Sequence, residues 1–96
     1  MREAPMPVRV LLCAPLRRAC GGRSQALIEG ETVRELIRNL QDLCPGLRGR
    51  LLDADGEIRR FIRVFKNRED TNALRGGDTP VADGDEVALV PASLGG

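Results

Sequence analysis

Alternation between apolar and polar residues marks four short stretches of this chain as β-strands. Successive side chains of a strand point to opposite faces, so an alternating pattern gives one segment a buried face and an outer face. β-branched residues within these stretches, and proline or glycine at their borders, favour the same assignment. The predicted strands cover residues 8–13, 24–29, 58–66 and 86–90.

A helical period lies between the second and third of these stretches. Thr32 is a good N-cap and Glu35 completes a capping box, so the helix is expected to begin there. Pro45 and Gly46 end it, and a separate helical turn is expected over residues 16–20. One apolar stripe follows the helical spacing, with the members Val33, Leu36, Ile37, Leu40, Leu43 and Cys44.

These elements predict an α+β fold in which a mixed sheet packs on one main helix. The helix-facing residues of the strands are expected to be Val8, Val10, Leu12, Ile62, Val64, Val87 and Leu89. The opposite, open face then carries an apolar group formed by Leu11, Cys13, Phe65 and Val90. We interpret this group as a partner-docking surface, since clustered apolar residues are unusual on a small soluble protein. Scattered surface apolar residues, which are common, are the alternative.

Composition then narrows the possible chemistry. The formal net charge is +1 and the only aromatic residues are Phe61 and Phe65, so neither nucleic-acid nor membrane binding is expected. The sequence contains no histidine, which excludes histidine-based acid–base catalysis and most zinc sites. Cys13, Cys20 and Cys44 are odd in number and form no C-x-x-C pair, so free thiols in a reducing cytoplasm are expected.

The length of the chain predicts one folded domain. We expect a disordered segment over residues 1–7, the domain over residues 8–91 and a flexible tail over residues 92–96. The first residues lack the apolar core of a secretory signal, and Met6 is an alternative start to Met1.

The tail follows a proline and ends in two glycines. Pro91 is expected to close the last strand, because proline has a fixed φ and no N–H. Gly95 and Gly96 have no side chains, so the tail can thread a narrow channel and present the carboxylate of Gly96 to another protein. A frayed terminus is the alternative. The internal pair Gly76-Gly77 is predicted to be a turn, because cleavage there would remove the last strand.

The sequence from Val8 to Gly96 resembles the MoaD/ThiS family of sulfur-carrier proteins, the prokaryotic relatives of ubiquitin. The resemblance is carried by residues 79–87 with 90–92 and the terminal Gly-Gly, by 13–17, by 32–36 with 44–47, and by 60–70. Three departures stand out. Cys13 takes the place of an aromatic residue, Arg68 stands where glycine often follows the asparagine, and the segment from Gly76 to Pro80 is shorter than usual.

The resemblance implies a β-grasp, ubiquitin-like fold and a carrier with no catalytic residue, metal or bound cofactor of its own. It places the activated carboxylate on Gly96, the channel-threading residues at Ala92, Leu94 and Gly95, and the docking surface at Leu11, Cys13, Phe65 and Val90.

The implied partner is an E1-like adenylating enzyme, which uses ATP to adenylate Gly96 before sulfur transfer makes a thiocarboxylate. A downstream biosynthetic enzyme would take that sulfur in a cysteine, molybdopterin, thiamine or natural-product pathway, with this chain as a carrier or as the small subunit of a synthase. In isolation the chain is expected to be a cytoplasmic monomer that binds neither nucleic acid nor membrane.

Three other functions use the same sequence features differently. A ubiquitin-like modifier would join Gly96 to a target lysine, and with Lys66 as its sole lysine it could link to itself at one position only. A noncovalent β-grasp interaction module would not need the tail. A thiol enzyme using Cys13 or Cys20 lacks any base within sequence reach.

Overall fold

The computed structural model describes residues 7–91, which form one five-stranded sheet with helices against one face. The strands are β1 (Val8–Leu12), β2 (Gln25–Ile28), β3 (Ile62–Lys66), β4 (Glu69–Asp70) and β5 (Glu86–Pro91). The expected domain, residues 8–91, lies within the described residues. The expected disordered segment up to residue 6 and the tail over residues 92–96 lie outside them.

The last strand in sequence occupies the centre of the sheet. The order is β2-β1-β5-β3-β4, with β5 parallel to β1 and antiparallel to β3. β1 and β2 form the predicted hairpin, in which Val10 pairs with Ala26. Pro91 is the final strand residue and pairs with Ile62, a position where its missing N–H is tolerated.

Two α-helices connect the strands: α1 (Ala14–Ala19) and α2 (Val33–Leu43). The Thr32 hydroxyl accepts a hydrogen bond from the Glu35 N–H at 3.2 Å, which confirms the predicted N-cap. The Glu35 carboxylate returns to the N–H of Glu31 at 3.1 Å, one residue before the position of a standard capping box. A 3₁₀ turn (Pro45–Leu47) follows α2 where Pro45 was expected to end the helix.

The core forms between α2 and the inner face of the sheet. Every strand residue predicted to face the helix is buried: Val8, Val10, Leu12, Ile62, Val64, Val87 and Leu89. The helix stripe is buried at Val33, Leu36, Ile37, Leu40 and Cys44. The prediction was wrong for Leu43, which is 45% exposed because it lies at the end of α2 in an open cleft that Leu27 and Ile28 of β2 also line.

The cysteines differ from expectation. Cys20 and Cys44 form a disulfide whose Cα atoms are 4.9 Å apart, whereas Cys13 is free. The bond joins the C-terminal ends of α1 and α2, which are 24 residues apart in sequence. The number and local spacing of the cysteines could not predict this disulfide, because only the fold brings the two helix ends together.

Two glycines allow close packing between elements. A Cβ on Gly46 would lie 2.6 Å from the carbonyl oxygen of Ala19, so glycine is needed where the turn after α2 meets α1. A Cβ on Gly77 would lie 2.8 Å from Nη2 of Arg34. Gly77 belongs to a 3₁₀ turn (Gly76–Asp78), which agrees with the predicted turn.

Arg34 ties this turn to the body of the domain. Its guanidinium pairs with Asp78 and with Glu57, the latter at 3.1 Å, and its Nε donates to the carbonyl of Gly56 at 2.9 Å. The hydrogen bond to Asp78, together with the nearby negative charges, raises the pKa of Arg34 despite some desolvation. The side chain of Arg34 therefore attaches the turn at Gly76–Asp78 to α2 and to residues 56–57.

Candidate functional site

Apolar side chains of three central strands form one row on the open face. Ala88 of β5 stands between Leu11 of β1 and Phe65 of β3 in the strand register. All three are partly exposed, whereas Val87 and Leu89, the neighbours of Ala88 in β5, are fully buried on the other face. The row is thus an apolar band across the middle of the sheet.

The other two residues of the predicted docking surface lie toward the end of β5. Val90 pairs with Arg63 and is partly exposed on the open face. Cys13 follows Leu12, whose partner is Leu89, so Cys13 comes next to Val90 in register. Cys13 is also the N-cap of α1, and its side chain packs partly against the core. Its predicted place on the open face is therefore only partly correct, because the chain bends into α1 there.

The sequence interpretation missed two members of this face. Ala88 was left out because a methyl group gives little apolar signal, although it links Leu11 to Phe65. Leu27 is 66% exposed and pairs with Arg9, which places it on the open side of β2. Its position could have been found, because Ala26 and Ile28 alternate with it toward the core.

Ion pairs flank the apolar band. Arg9 lies 3.2 Å from Glu86 on one side, and Arg63 lies 3.3 Å from Asp70 on the other. Exposed pairs of this kind contribute little to stability, roughly 0–1 kcal/mol each. They give the band a polar rim, the arrangement found in protein–protein interfaces.

The end of β5 fixes where the tail leaves the domain. Pro91 stands beside Ile62 at the end of a central strand, one residue beyond the open-face residue Val90. The four tail residues assigned to threading and activation lie outside the described residues: Ala92, Leu94, Gly95 and Gly96. The tail therefore starts directly beside the apolar face.

The described part of the chain has neither a metal-ligand cluster nor a membrane-spanning helix. Within residues 7–91, no group of three or more histidine, cysteine, aspartate or glutamate side chains is placed to hold a metal ion. In the same range, no helix combines the length and the apolar content required of a bilayer-spanning segment.

A mixed sheet with its last strand at the centre and one main helix across its inner face, in a sequence that ends in Gly-Gly, defines a ubiquitin-like β-grasp protein. The predicted fold is confirmed by the solved structures that this chain matches. The family model of the ThiS family matches residues 10–96, and the chain belongs to that family.

Named relatives agree with this membership. The sulfur carrier protein CysO of Mycobacterium tuberculosis is 34% identical over 93 residues, which cover 95% of this chain and 100% of that protein. The small archaeal modifier protein 3 of Haloferax volcanii is 38% identical over 65 residues, 68% of this chain and 70% of that protein. A chain of the Amycolatopsis orientalis BexX/CysO complex has a TM-score of 0.84 at 34% identity, with 93% of this chain and 99% of that chain covered.

Proposed function

We propose that this chain is a sulfur carrier that accepts and delivers sulfur on the carboxylate of Gly96. The observation that carries the proposal is the match to the ThiS family through residue 96, where the sequence ends in Gly-Gly. The position of Pro91 beside the open face supports it, because a partner bound to that face would meet the tail.

The chemistry requires activation of a poor electrophile. A carboxylate oxygen of Gly96 bonds to the α-phosphorus of ATP, and the bond from that phosphorus to pyrophosphate breaks. Sulfide then adds to the carbonyl carbon, AMP leaves with the electrons of the broken C–O bond, and a thiocarboxylate remains. The partner supplies ATP and catalysis, so the carrier needs no acid, base or cofactor of its own.

Two partners follow from this chemistry. An E1-like adenylating enzyme binds the open face at Leu11, Phe65 and Val90, and a biosynthetic enzyme later takes the sulfur. The Amycolatopsis orientalis relative was crystallised in a complex with BexX, which supports a role that depends on docking to another protein. We further propose that the free chain is a cytoplasmic monomer and that it can also serve as the small subunit of a synthase.

The modifier function remains the second candidate, because one relative is named a small archaeal modifier protein. Both functions begin with adenylation of Gly96 and differ in the nucleophile that follows. Attack by sulfide gives a thiocarboxylate, whereas attack by a lysine amine gives an isopeptide. The mass of the product distinguishes the two.

The test is intact-protein mass spectrometry after incubation with ATP, sulfide and the E1-like enzyme from the same genome. The wild-type chain should gain the mass difference between sulfur and oxygen. A chain that lacks Gly96 should fold and not be converted, because its carboxylate no longer reaches the phosphate, and a displacement of ~1 Å can cost ~10²-fold in rate.

Two substitutions in the tail serve as a matched pair. Gly95→Leu should block conversion by filling the channel, and Ser93→Ala should leave conversion nearly unchanged. Full conversion of the chain without Gly96 would reject the carrier function and favour a noncovalent module.

A further inference from the structure

The strand directions divide the domain into two ends. β1 and β5 are parallel, so α1, which follows β1, lies at the same end as Pro91. The start of β3 joins them there, because Ile62 pairs with Pro91. The segment after α2 completes this end, since Arg50 lines a cleft of about 600 Å³ with Arg18 of α1. We call this region the tail end.

Four exposed arginines of the tail end have no acidic partner within residues 7–91. Other cations nearby are engaged: Arg48 pairs with Asp42, Arg63 with Asp70, and Nε of Arg17 donates to the carbonyl of Leu12. The four without partners are Arg18, Arg23, Arg50 and Arg60.

The sequence explains why these arginines have no partner. No aspartate or glutamate occurs in the segments that build the tail end, residues 13–24, 44–52 and 58–62, and the acidic residues that border it are Asp42, which pairs with Arg48, and Asp53, which lines a cleft with Arg60. At the opposite end, the turn before β5 and the β3–β4 hairpin supply acidic residues: Glu69, Asp70, Asp83, Asp85 and Glu86. The small net charge of +1 therefore conceals a separation of charge along the central strands.

The arginines lie at the same end of the sheet as Pro91, with Arg18 and Arg50 at one cleft and Arg60 two residues before Ile62, the partner of Pro91. Five residues, 92–96, extend beyond Pro91 and span at most ~17 Å when fully extended. Any protein that takes the carboxylate of Gly96 into its active site must therefore come within that distance of Pro91, next to the tail end. Its surface would meet Arg18 and Arg50 on one side of the tail and Arg60 on the other.

We infer that the tail end is an electrostatic docking surface for a protein partner whose tail channel is rimmed by aspartate and glutamate. This rests on the proposed function, which requires a partner that admits the tail. Complementary charge steers encounter and fixes orientation, so it acts mainly on the association rate. A protein surface fits better than nucleic acid, since the chain has two aromatic residues and no stacking platform.

The first test compares two double charge reversals. Arg18→Glu with Arg50→Glu changes the tail end, whereas Arg68→Glu with Arg75→Glu makes the same change in net charge at exposed arginines elsewhere. With the E1-like enzyme that converts the wild type, the tail-end variant should raise KM for the carrier about tenfold at low salt and leave kcat unchanged. This difference should shrink near 1 M salt, where the Debye length falls to ~3 Å.

If both double variants had the same KM, the inference would be overturned. The substitutions would then act through net charge alone, or they would have no effect on KM. Thermal melts of both variants, followed by circular dichroism, distinguish a folding defect from a docking defect.

A second measurement does not depend on enzyme activity. Side-chain Nε–H resonances of the wild-type chain are followed by NMR during titration with a deca-glutamate peptide and, separately, with single-stranded oligouridylate. The peptide should shift Arg18, Arg23, Arg50 and Arg60 before Arg68 and Arg75. Uniform shifts, or tighter binding of the RNA at ~0.15 M salt, would overturn the assignment of an acidic protein partner. If the peptide selects the tail end but no enzyme converts the wild type, the proposed carrier function is at fault and the docking surface stands.

Discussion

Asp85 holds the start of the central strand through three partners. The N–H of Ala82 donates to its Oδ2 at 2.8 Å, Nδ2 of Asn67 donates to its Oδ1 at 3.0 Å, and Nζ of Lys66 lies 3.8 Å away. Burial would raise the pKa of Asp85, but the hydrogen bonds from Asn67 and Ala82 and the charge of Lys66 outweigh it, so this pKa is lowered. Asp85 thus stabilises the fold above its unfolded pKa, about 3.9, and loses that effect as the pH falls through the folded value.

Replacing this carboxylate should make the difference in stability depend on pH. At pH 7, Asp85→Asn should lower the free energy of unfolding by roughly 1 kcal/mol, because the amide is neutral and accepts through one oxygen only. Below about pH 4 the gap should close as the wild-type carboxylate is protonated. Urea unfolding of both chains at several pH values measures this, and a gap that stays constant down to pH 2.5 would contradict it.

Two leucines of α2 provide a matched test of the core. Leu40 has no exposed surface, so Leu40→Asp buries a charge and should unfold a domain whose total stability is about 5–15 kcal/mol. Leu43 is 45% exposed, and Leu43→Asp should change the free energy of unfolding by less than ~1 kcal/mol. Thermal melts by circular dichroism separate the two, and a cooperative Leu40→Asp melt near wild type would show that the helix face is misassigned.

Single residues also show where sequence reasoning stops. Asn67 and Arg68 both have positive φ, at 49° and 74°, in the two-residue turn between β3 and β4. The sequence shows arginine at residue 68, where the family often has glycine. In the structure, the backbone of Arg68 lies in the left-handed region, which residues with a side chain rarely adopt, so the arginine is less favourable there than glycine. The bond between Cys20 and Cys44 was not predictable, because it depends on how two helix ends pack.

At the scale of secondary structure elements, hydrophobic periodicity predicted only those elements that are long enough to repeat the pattern. α2 and the four longer strands were predicted because burial on one face imposes a spacing on several residues. β4 has two residues and the turn at Thr71–Ala73 has three, so no period could reveal them, whereas a turn at Gly76-Gly77 was predicted on other grounds.

The prediction at this scale concerns the open face of the sheet. Phe65→Arg puts a charge in the centre of the apolar band, where the side chain is partly exposed, so folding should survive. Its Kd for the E1-like enzyme should rise at least about thirtyfold, corresponding to ~2 kcal/mol, because aromatic hot spots dominate interfaces. Titration calorimetry measures the Kd.

Leu74→Arg is the control, since Leu74 is 39% exposed in the loop after β4 and lies off the sheet. An unchanged Kd for Phe65→Arg, or an equal loss for Leu74→Arg, would exclude the band as the binding surface.

For the whole molecule, the sequence predicted an α+β layer, the inner face of its sheet and the exit of the tail at Pro91. It did not predict that β5 lies between β1 and β3, since pairing between distant strands leaves no local trace. It also did not predict the separation of charge, because net charge sums over positions that only the fold assigns to opposite ends.

The central position of β5 also constrains when the domain can form. Its parallel partner β1 is the first strand of the chain, so the sheet remains split until residues 86–91 have left the ribosome. Pairings so distant in sequence slow folding, because loop closure must precede any gain from contact. Folding therefore cannot be completed before β5 has been synthesised, and a chain that ends before β5 would lack both a stable sheet and the carboxylate of Gly96.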